Sequence, residues 1–337
     1  MTKPLRLRTF LTGLWLTVLA CIVLAFLLPH DPYFRYQAMG GTIFERARWI
    51  YERIHFDETP IDIAFLGSSR TARGVISPDL EERLAEQGID ARIVNFSLPA
   101  SGFDVRLPII RELLSEHKPK LIVISVVEQF PRHGHQAFGD LAGAGEVLQS
   151  PWIVNRNLPE NLARLPIRQI QLAAANLLPE AFGYQPEFNP TTYAGTTIDP
   201  RIFNPGKAFS PKSAADIEVL KDESEFRRRK LTRPILPESM AGIEFGIPRT
   251  YLRRIAELAK AKGVQIAFLY LPFYGGYEEP FEKAWLEQFG PVFSAGFLLN
   301  DPNLYNDVAH VSELGAVLVT DWLTETLTPL LDPSTRS

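Results

Sequence analysis

The fold of this chain is decided by a short apolar run that ends in a turn of small residues: Ile61-Asp62-Ile63-Ala64-Phe65-Leu66-Gly67-Ser68-Ser69-Arg70-Thr71. A run of this length and composition predicts a strand that is buried on both faces. Two further apolar runs follow at residues 91–96 and 121–127, and amphipathic segments separate the three runs. Alternating strands and helices predict a parallel sheet in an α/β fold.

The predicted helices complete this pattern on both sides of a long interruption. The helix expected over residues 78–87 has Ser77 as its N-cap and Pro78 at its first position. Another helix is expected over residues 105–116. The pattern resumes late in the chain with a helix over residues 249–262, Gly263 as its C-cap, and a strand over residues 264–271. Helices near residues 281–289 and over residues 313–327 follow.

Residues 131–245 interrupt the pattern with proline, asparagine and short polar clusters. Only residues 162–178 indicate a helix, and the charged stretch 221–230 is expected to be irregular. Long irregular segments in compact domains are usually lids or insertions. The sequence therefore predicts an inserted cap over residues 131–245.

The N-terminus carries an apolar run at residues 10–28 that holds 19 residues without a charge. At 1.5 Å per residue this length matches a hydrocarbon core of about 30 Å. Lys3, Arg6 and Arg8 precede the run, so the positive-inside rule predicts a cytoplasmic N-terminus and a periplasmic or extracellular main domain. A cleaved signal peptide is the alternative, although no small-residue cleavage site closes the run.

The remaining bulk features restrict the class of protein further. Cys21 is the only cysteine, so the exported domain can hold no internal disulfide. A net charge of -4 argues against nucleic acid as a partner. Residues 42–55 predict an amphipathic helix, either a juxtamembrane stalk or a first helix packed on the domain. The resulting division is residues 1–29 as tail and anchor, 30–58 as stalk, and 59–330 as the α/β domain with its insertion.

Two segments hold the candidate catalytic residues. Ser69 follows the first strand, where α/β domains place their active sites. Asp307 and His310 lie three residues apart just before the last helix. The carboxylate can hold one imidazole nitrogen and leave the other free to take a proton from a serine. Together these residues predict a nucleophile, its base and an orienting group.

The same segments resemble the blocks of the SGNH (GDSL-like) hydrolase superfamily. The matching residues are Gly67-Ser68-Ser69, the stretch Asn95-Phe96-Ser97-Leu98-Pro99-Ala100-Ser101-Gly102, and Asp307-x-x-His310. The resemblance implies a flavodoxin-like three-layer parallel sheet, with Ser69 as nucleophile, His310 as base and Asp307 as its orienter. It also implies that Gly102 and the Ser69 backbone N–H form an oxyanion site.

The chain departs from that pattern at two places. Ser68 occupies the position of the usual aspartate. Glu128-Gln129-Phe130 stands where the family's third block has an asparagine, and the Gln129 amide is the proposed substitute donor. Arg70 and Arg73 are candidate substrate-binding residues for a phosphate or carboxylate, with a solvated surface role as the alternative.

No metal or cofactor is expected. His133 and His135 could suggest a metal site, but no cysteine or carboxylate stands at ligand spacing, which favours a solvated loop. Within the superfamily the anchored form is similar to the teichoic-acid D-alanylation and alginate O-acetylation proteins. That likeness implies an esterase or O-acyltransferase acting on a glycan or another acylated envelope substrate, with a membrane acyl-donor protein as a possible partner. The alternative is a catalytically silent binding or scaffold protein of an envelope assembly.

Overall fold

The computed structural model describes residues 7–100, 102–203, 211–231 and 234–331. Lys3, Arg6 and Ser101, on which parts of the sequence analysis depend, lie outside these residues.

A five-stranded sheet, parallel throughout, forms the centre of the described chain. Its strands are β1 (Ile63–Leu66), β2 (Ile93–Asn95), β3 (Leu121–Val126), β4 (Gln265–Tyr270) and β5 (Val292–Ser294). Their spatial order is β2-β1-β3-β4-β5. The register pairs Ile63 with Ile93 on one side and with Leu121 on the other. The predicted α/β class and parallel sheet are confirmed, whereas β5 was not predicted.

The strand order places a crevice beside β1. From β1 the chain moves outward to β2, and it then crosses back to β3 on the other side of β1. In open α/β sheets, such a reversal leaves a crevice at the carboxyl ends of the strands, where ligands bind. The Gly67-Ser68-Ser69 turn follows β1 directly and therefore lies at this position.

Helices cover both faces of the sheet. On one face lie α3 (Arg46–His55), α6 (Phe103–Glu116) and α13 (Gly246–Lys262). On the other lie α5 (Ser77–Glu86) and α15 (Glu313–Leu331). Alternate β1 side chains serve the two cores, since Ala64 joins the first cluster and Phe65 the second. This two-sided burial explains why the strands are apolar throughout.

Several predicted helix ends differ from those observed. Ile76, not Ser77, is the N-cap of α5, and Ser77 lies inside the helix. A short helix that was not predicted, α4 (Ser69–Gly74), precedes α5. The helix expected near residues 281–289 is reduced to α14 (Lys283–Leu286). The C-cap prediction is confirmed, because Gly263 ends α13 with a left-handed φ of 67°.

The insertion is more helical than predicted. It contains α7 (Phe138–Leu141), α8 (Ala144–Leu148), α9 (Leu158–Leu177), α10 (Pro200–Phe203), α11 (Ala214–Lys230) and α12 (Ala241–Glu244). The prediction for residues 162–178 is confirmed by α9, but the expectation of an irregular stretch at 221–230 is wrong. Ser213 and Asp216 form a capping box at the start of α11, and basic residues fill its last turn. Both features stabilise a helix without a long apolar stripe.

The N-terminal part consists of α1 (Leu7–Phe26) and α2 (Pro32–Gln37), followed by α3. Helix α1 is long and apolar enough to cross a membrane, and it is the one such helix among the described residues. A membrane anchor and a signal sequence both fit it. The stalk interpretation of residues 42–55 is wrong, because α3 packs on α6 and buries Trp49, Ile50 and Ile54 in the main core. The alternative, a first helix packed on the domain, describes it.

Candidate functional site

Ser69 lies where β1 gives way to α4. Ser68 is the N-cap of α4, and Ser69 is its first residue, where a backbone N–H has no acceptor within the helix. Gly67 makes the turn possible. A Cβ at this position would lie 2.3 Å from the Thr71 Oγ1 and 2.8 Å from the Ser125 Cβ, so only glycine fits. A steric requirement therefore explains the glycine that precedes the two serines.

The structure brings Ser69 and His310 into hydrogen-bond contact. The His310 Nε2 lies 2.7 Å from the Ser69 Oγ, although the two residues are 241 positions apart in the chain. The His310 Nδ1 lies 2.9 Å from each carboxylate oxygen of Asp307. The predicted geometry of these three side chains is confirmed. Because Asp307 accepts from an Nδ1–H, the assigned tautomer leaves Nε2 to accept the Ser69 proton.

Asp307 is held in its ionised form. Its Oδ1 accepts the backbone N–H groups of Ala309 at 2.9 Å and His310 at 3.0 Å. Partial burial raises the pKa of the carboxyl, but the hydrogen bonds from the His310 ring and these N–H groups outweigh it and lower the pKa to about 2. A carboxylate that stays charged can stabilise an imidazolium as it forms.

The loop that carries Asp307 and His310 is closed by its own backbone. Tyr305 and Val311 form an antiparallel bridge, and the Asn306 N–H donates to the His310 carbonyl at 2.8 Å. Gly315, in the first turn of α15, lies so close that a Cβ would be 2.3 Å from the Leu304 carbonyl oxygen. These contacts fix the position of the His310 ring relative to the sheet.

Arg70 does not have the position expected of a substrate-binding or solvated residue. Its guanidinium is buried and meets both carboxylate oxygens of Glu128, at 2.5 Å and 3.1 Å. It also donates to the Leu271 carbonyl at 3.0 Å. Burial lowers the pKa of Arg70, but Glu128 outweighs that effect, so the pKa is raised above its usual value. Both predicted roles are therefore corrected, because Arg70 is a buried ion-pair partner.

Glu128 is a residue that sequence reasoning missed. It lies just after β3. Its Oε1 also accepts, at 3.3 Å, the N–H of Phe273, a residue in the segment after β4. Through Arg70, the same carboxylate holds the first turn of α4. Glu128 thus joins the carboxyl ends of β1, β3 and β4. The signal available in the sequence was a charged residue directly after an apolar strand, which needs a partner once it is buried.

Asn95 has a similar structural role at the end of β2. Its Nδ2 donates to the Thr71 carbonyl at 3.0 Å and the Val75 carbonyl at 3.2 Å, so the side chain binds the carboxyl end of α4. The Thr71 carbonyl also accepts the Val75 N–H at 3.2 Å, so Asn95 adds further hydrogen bonds at a helix end, where carbonyls have few partners within the helix. Asn95 belongs to the stretch that resembles the SGNH hydrolases, but no function was predicted for it.

The remaining predicted site residues occupy the same edge of the sheet. Arg73 is partly exposed, and its Nη1 lies 3.9 Å from the Asp307 Oδ2 at the rim of the site. Gly102 is the N-cap of α6, and Gln129 is a partly exposed residue just after Glu128. Substrate binding by Arg73 and oxyanion donation by Gly102 and Gln129 stay predictions.

The insertion, predicted from the sequence as a cap, contacts segments next to this site. The Lys212 N–H donates to the Asn303 Oδ1 at 3.0 Å, and the Lys212 ammonium donates to the Asn306 carbonyl at 3.3 Å. In helix α11, which begins two residues after Lys212, the Arg227 guanidinium lies 5.3 Å from the centre of the Phe273 ring. Burial and the charge of Arg70 lower the pKa of Arg227. The insertion therefore contacts the loop that carries Asp307 and His310 through Lys212, and contacts Phe273 through α11.

The two histidines considered as metal ligands contact backbone groups. The His133 Nδ1 lies 3.2 Å from the Val154 carbonyl, and the His135 Nδ1 accepts from the Ala137 N–H at 3.1 Å. Burial and the charge of Arg106 lower the pKa of His135 to about 4. Across the described residues, no three His, Cys, Asp or Glu side chains converge as a metal site would require.

Comparison with known proteins finds no family model that matches the chain, and no curated protein matches it significantly.

Proposed function

We propose that this chain is a membrane-anchored serine esterase or O-acyltransferase with an SGNH-like, flavodoxin-like domain. The observation that carries the proposal is the Ser69–His310–Asp307 relay at 2.7 Å and 2.9 Å. A hydroxyl is a weak nucleophile without an adjacent base, and here the base is in contact and is itself oriented. The resemblance of the sequence motifs to SGNH hydrolases supports the same assignment.

The proposed reaction has two steps. The Ser69 Oγ attacks the carbonyl carbon of an acyl ester while the His310 Nε2 takes its proton. Collapse of the tetrahedral intermediate breaks the ester bond, the leaving oxygen receives that proton from His310 to become the free alcohol, and an acyl-serine remains. Water or a sugar hydroxyl then gives its proton to the His310 Nε2 and attacks the acyl carbonyl carbon, and the acyl–Ser69 bond breaks as the Ser69 Oγ leaves and takes that proton back. The first acceptor makes the protein an esterase, and the second makes it a transferase.

The proposed setting is the cell envelope. Helix α1 serves as the anchor, with Arg8 and the basic residues before it on the cytoplasmic side and the α/β domain outside. The substrate is a glycan or another acylated envelope molecule, and a membrane protein delivers the acyl group in the transferase case. Residues 131–245 act as a cap, since Lys212 and α11 contact segments next to the site.

Labelling with a fluorophosphonate probe tests the enzyme proposal, because the probe reports an activated serine without a known substrate. The wild-type protein should be labelled, and Ser69→Ala and His310→Ala should reduce labelling to background. Asp307→Asn should slow labelling by up to about 10⁴-fold, because it disturbs the His310 tautomer.

Ser68→Ala is the matched control, since it removes the neighbouring hydroxyl. That hydroxyl accepts the Arg70 N–H at 3.4 Å as the α4 cap and is not in the Ser69–His310–Asp307 relay, so labelling should persist. A folded wild-type protein that is never labelled would favour the silent binding or scaffold protein. The absence of a third-block asparagine is the observation that supports this second candidate.

A further inference from the structure

Helix α9 carries an exposed apolar stripe that the proposed reaction does not use. Ile167, Ile170, Ala174 and Leu177 follow one another at the spacing of a single helix face, and Leu178 continues it. Ile167 and Ile170 are 60% and 53% exposed, and Leu177 and Leu178 are 80% and 66% exposed. Exposed Gln171 lies on the same face and is polar but uncharged. A row of exposed large apolar side chains of this kind marks a contact with a membrane or another protein.

The opposite face of α9 is already occupied. Leu172 and Ala175 pack with Phe34 of α2, and Leu165 joins the main core. The one charged residue between 167 and 178 is Arg168, whose guanidinium is partly buried and donates to the Gly139 carbonyl. The exposed stripe therefore presents no charge of its own along about three turns of helix.

The position of α9 identifies the occupant of this stripe. Helix α1 packs directly against α9, and the Asp31 N–H donates to the Asn176 Oδ1 of α9 at 3.1 Å. Asp31 follows the last residue of α1 by only five positions, a span of at most about 18 Å. Wherever α1 leaves the hydrocarbon core, the carboxyl end of α9 must lie beside it.

We infer that the stripe on α9 is a second membrane contact, which lies in the lipid headgroup and upper acyl region next to the exit of α1. The inference rests on the proposed role of α1 as an anchor. Helices with one apolar face bury it about 5–10 Å into this region. Two contacts instead of one would fix the orientation of the domain, and with it the Ser69 site, relative to the bilayer.

Site-directed spin labelling of the full-length protein tests this inference. Cys21→Ser removes the only cysteine, so Ile170→Cys or Leu177→Cys then carries a single nitroxide. The protein is placed at one copy per nanodisc of phosphatidylcholine and phosphatidylglycerol. Collisions with oxygen, which concentrates in lipid, are compared with collisions with a water-soluble nickel complex.

Both α9 positions should show a several-fold higher ratio of oxygen to nickel collisions than Glu225→Cys. Glu225 lies on α11, and its side chain is 67% exposed. Leu16→Cys in α1 reports the anchor separately, and its label should be the most lipid-exposed. If the label at Leu16 is in lipid while the labels at both α9 positions collide with nickel as often as the label at Glu225, the inference is wrong and the anchor stands. If Leu16 itself is in water, the anchor proposal fails with it. Protection of α9 that needs two copies per disc would instead assign the stripe to a second copy of the chain.

Discussion

Replacing Glu128 with alanine should destabilise the whole domain, because it leaves the Arg70 guanidinium buried without its counter-charge. The Arg70 and Glu128 side chains are only 7% and 3% exposed, so water cannot take the place of the carboxylate. Removing one partner of a buried pair costs about 3–5 kcal/mol. The Phe273 N–H also loses its acceptor, which places the expected loss in the upper part of that range.

Thermal unfolding of the detergent-solubilised full-length protein measures this loss. A loss of about 4–5 kcal/mol corresponds to a fall in Tm of roughly 8–20 °C for a domain of this size. The matched control is Glu225→Ala, which breaks an ion pair with Arg229 whose side chains are 67% and 78% exposed. Such a surface pair contributes less than about 1 kcal/mol, so the Tm should stay near that of the wild type.

A double variant separates lost charge from lost packing. Arg70→Met combined with Glu128→Leu leaves no charge to desolvate and should recover most of the stability. In the single variant Glu128→Ala, fluorophosphonate labelling should be slower than in the wild type, because the Arg70 contact that ties α4 to β3 and β4 is gone. A Glu128→Ala protein within about 1 kcal/mol of the wild type would refute the reasoning. So would a double variant no more stable than Glu128→Ala.

Three further results are expected. Gly67→Ala should lower the free energy of unfolding by about 1–3 kcal/mol and slow the labelling of Ser69, because the alanine Cβ would overlap the buried Thr71 side chain. Thermal unfolding measures the first effect, and the labelling rate measures the second. The pKa of Asp307 is lowered to about 2, so its contribution to stability is complete above its ordinary pKa and is lost as the pH falls through about 2. Between pH 4 and pH 2, the free energy of unfolding should therefore fall less steeply in Asp307→Asn than in the wild type. Equal slopes in the two proteins would contradict the lowered pKa. A reporter fused after Ser337, which lies outside the described residues, should be active only outside the cytoplasm, and cytoplasmic activity would overturn the proposed topology.

Features that depend on neighbouring residues could be predicted from the order of amino acids. The apolar runs of β1, β3 and β4 identified a buried parallel sheet, because strands covered on both faces cannot alternate polar and apolar residues. Gly263 identified a helix end through its left-handed conformation. The motif order also predicted that Ser69 and His310 meet, since parallel strands bring their carboxyl ends to one edge.

Which polar residues face the site and which are buried depends instead on contacts between distant parts of the chain. Arg70 follows Ser69 in sequence, yet its orientation depends on Glu128, a partner 58 positions away that only the pairing of β1 with β3 brings near. The burial of α3 and the approach of α11 to Phe273 likewise depend on contacts between distant segments. Periodicity reports which face of a helix is apolar, but what covers that face is determined by the packing of the whole chain.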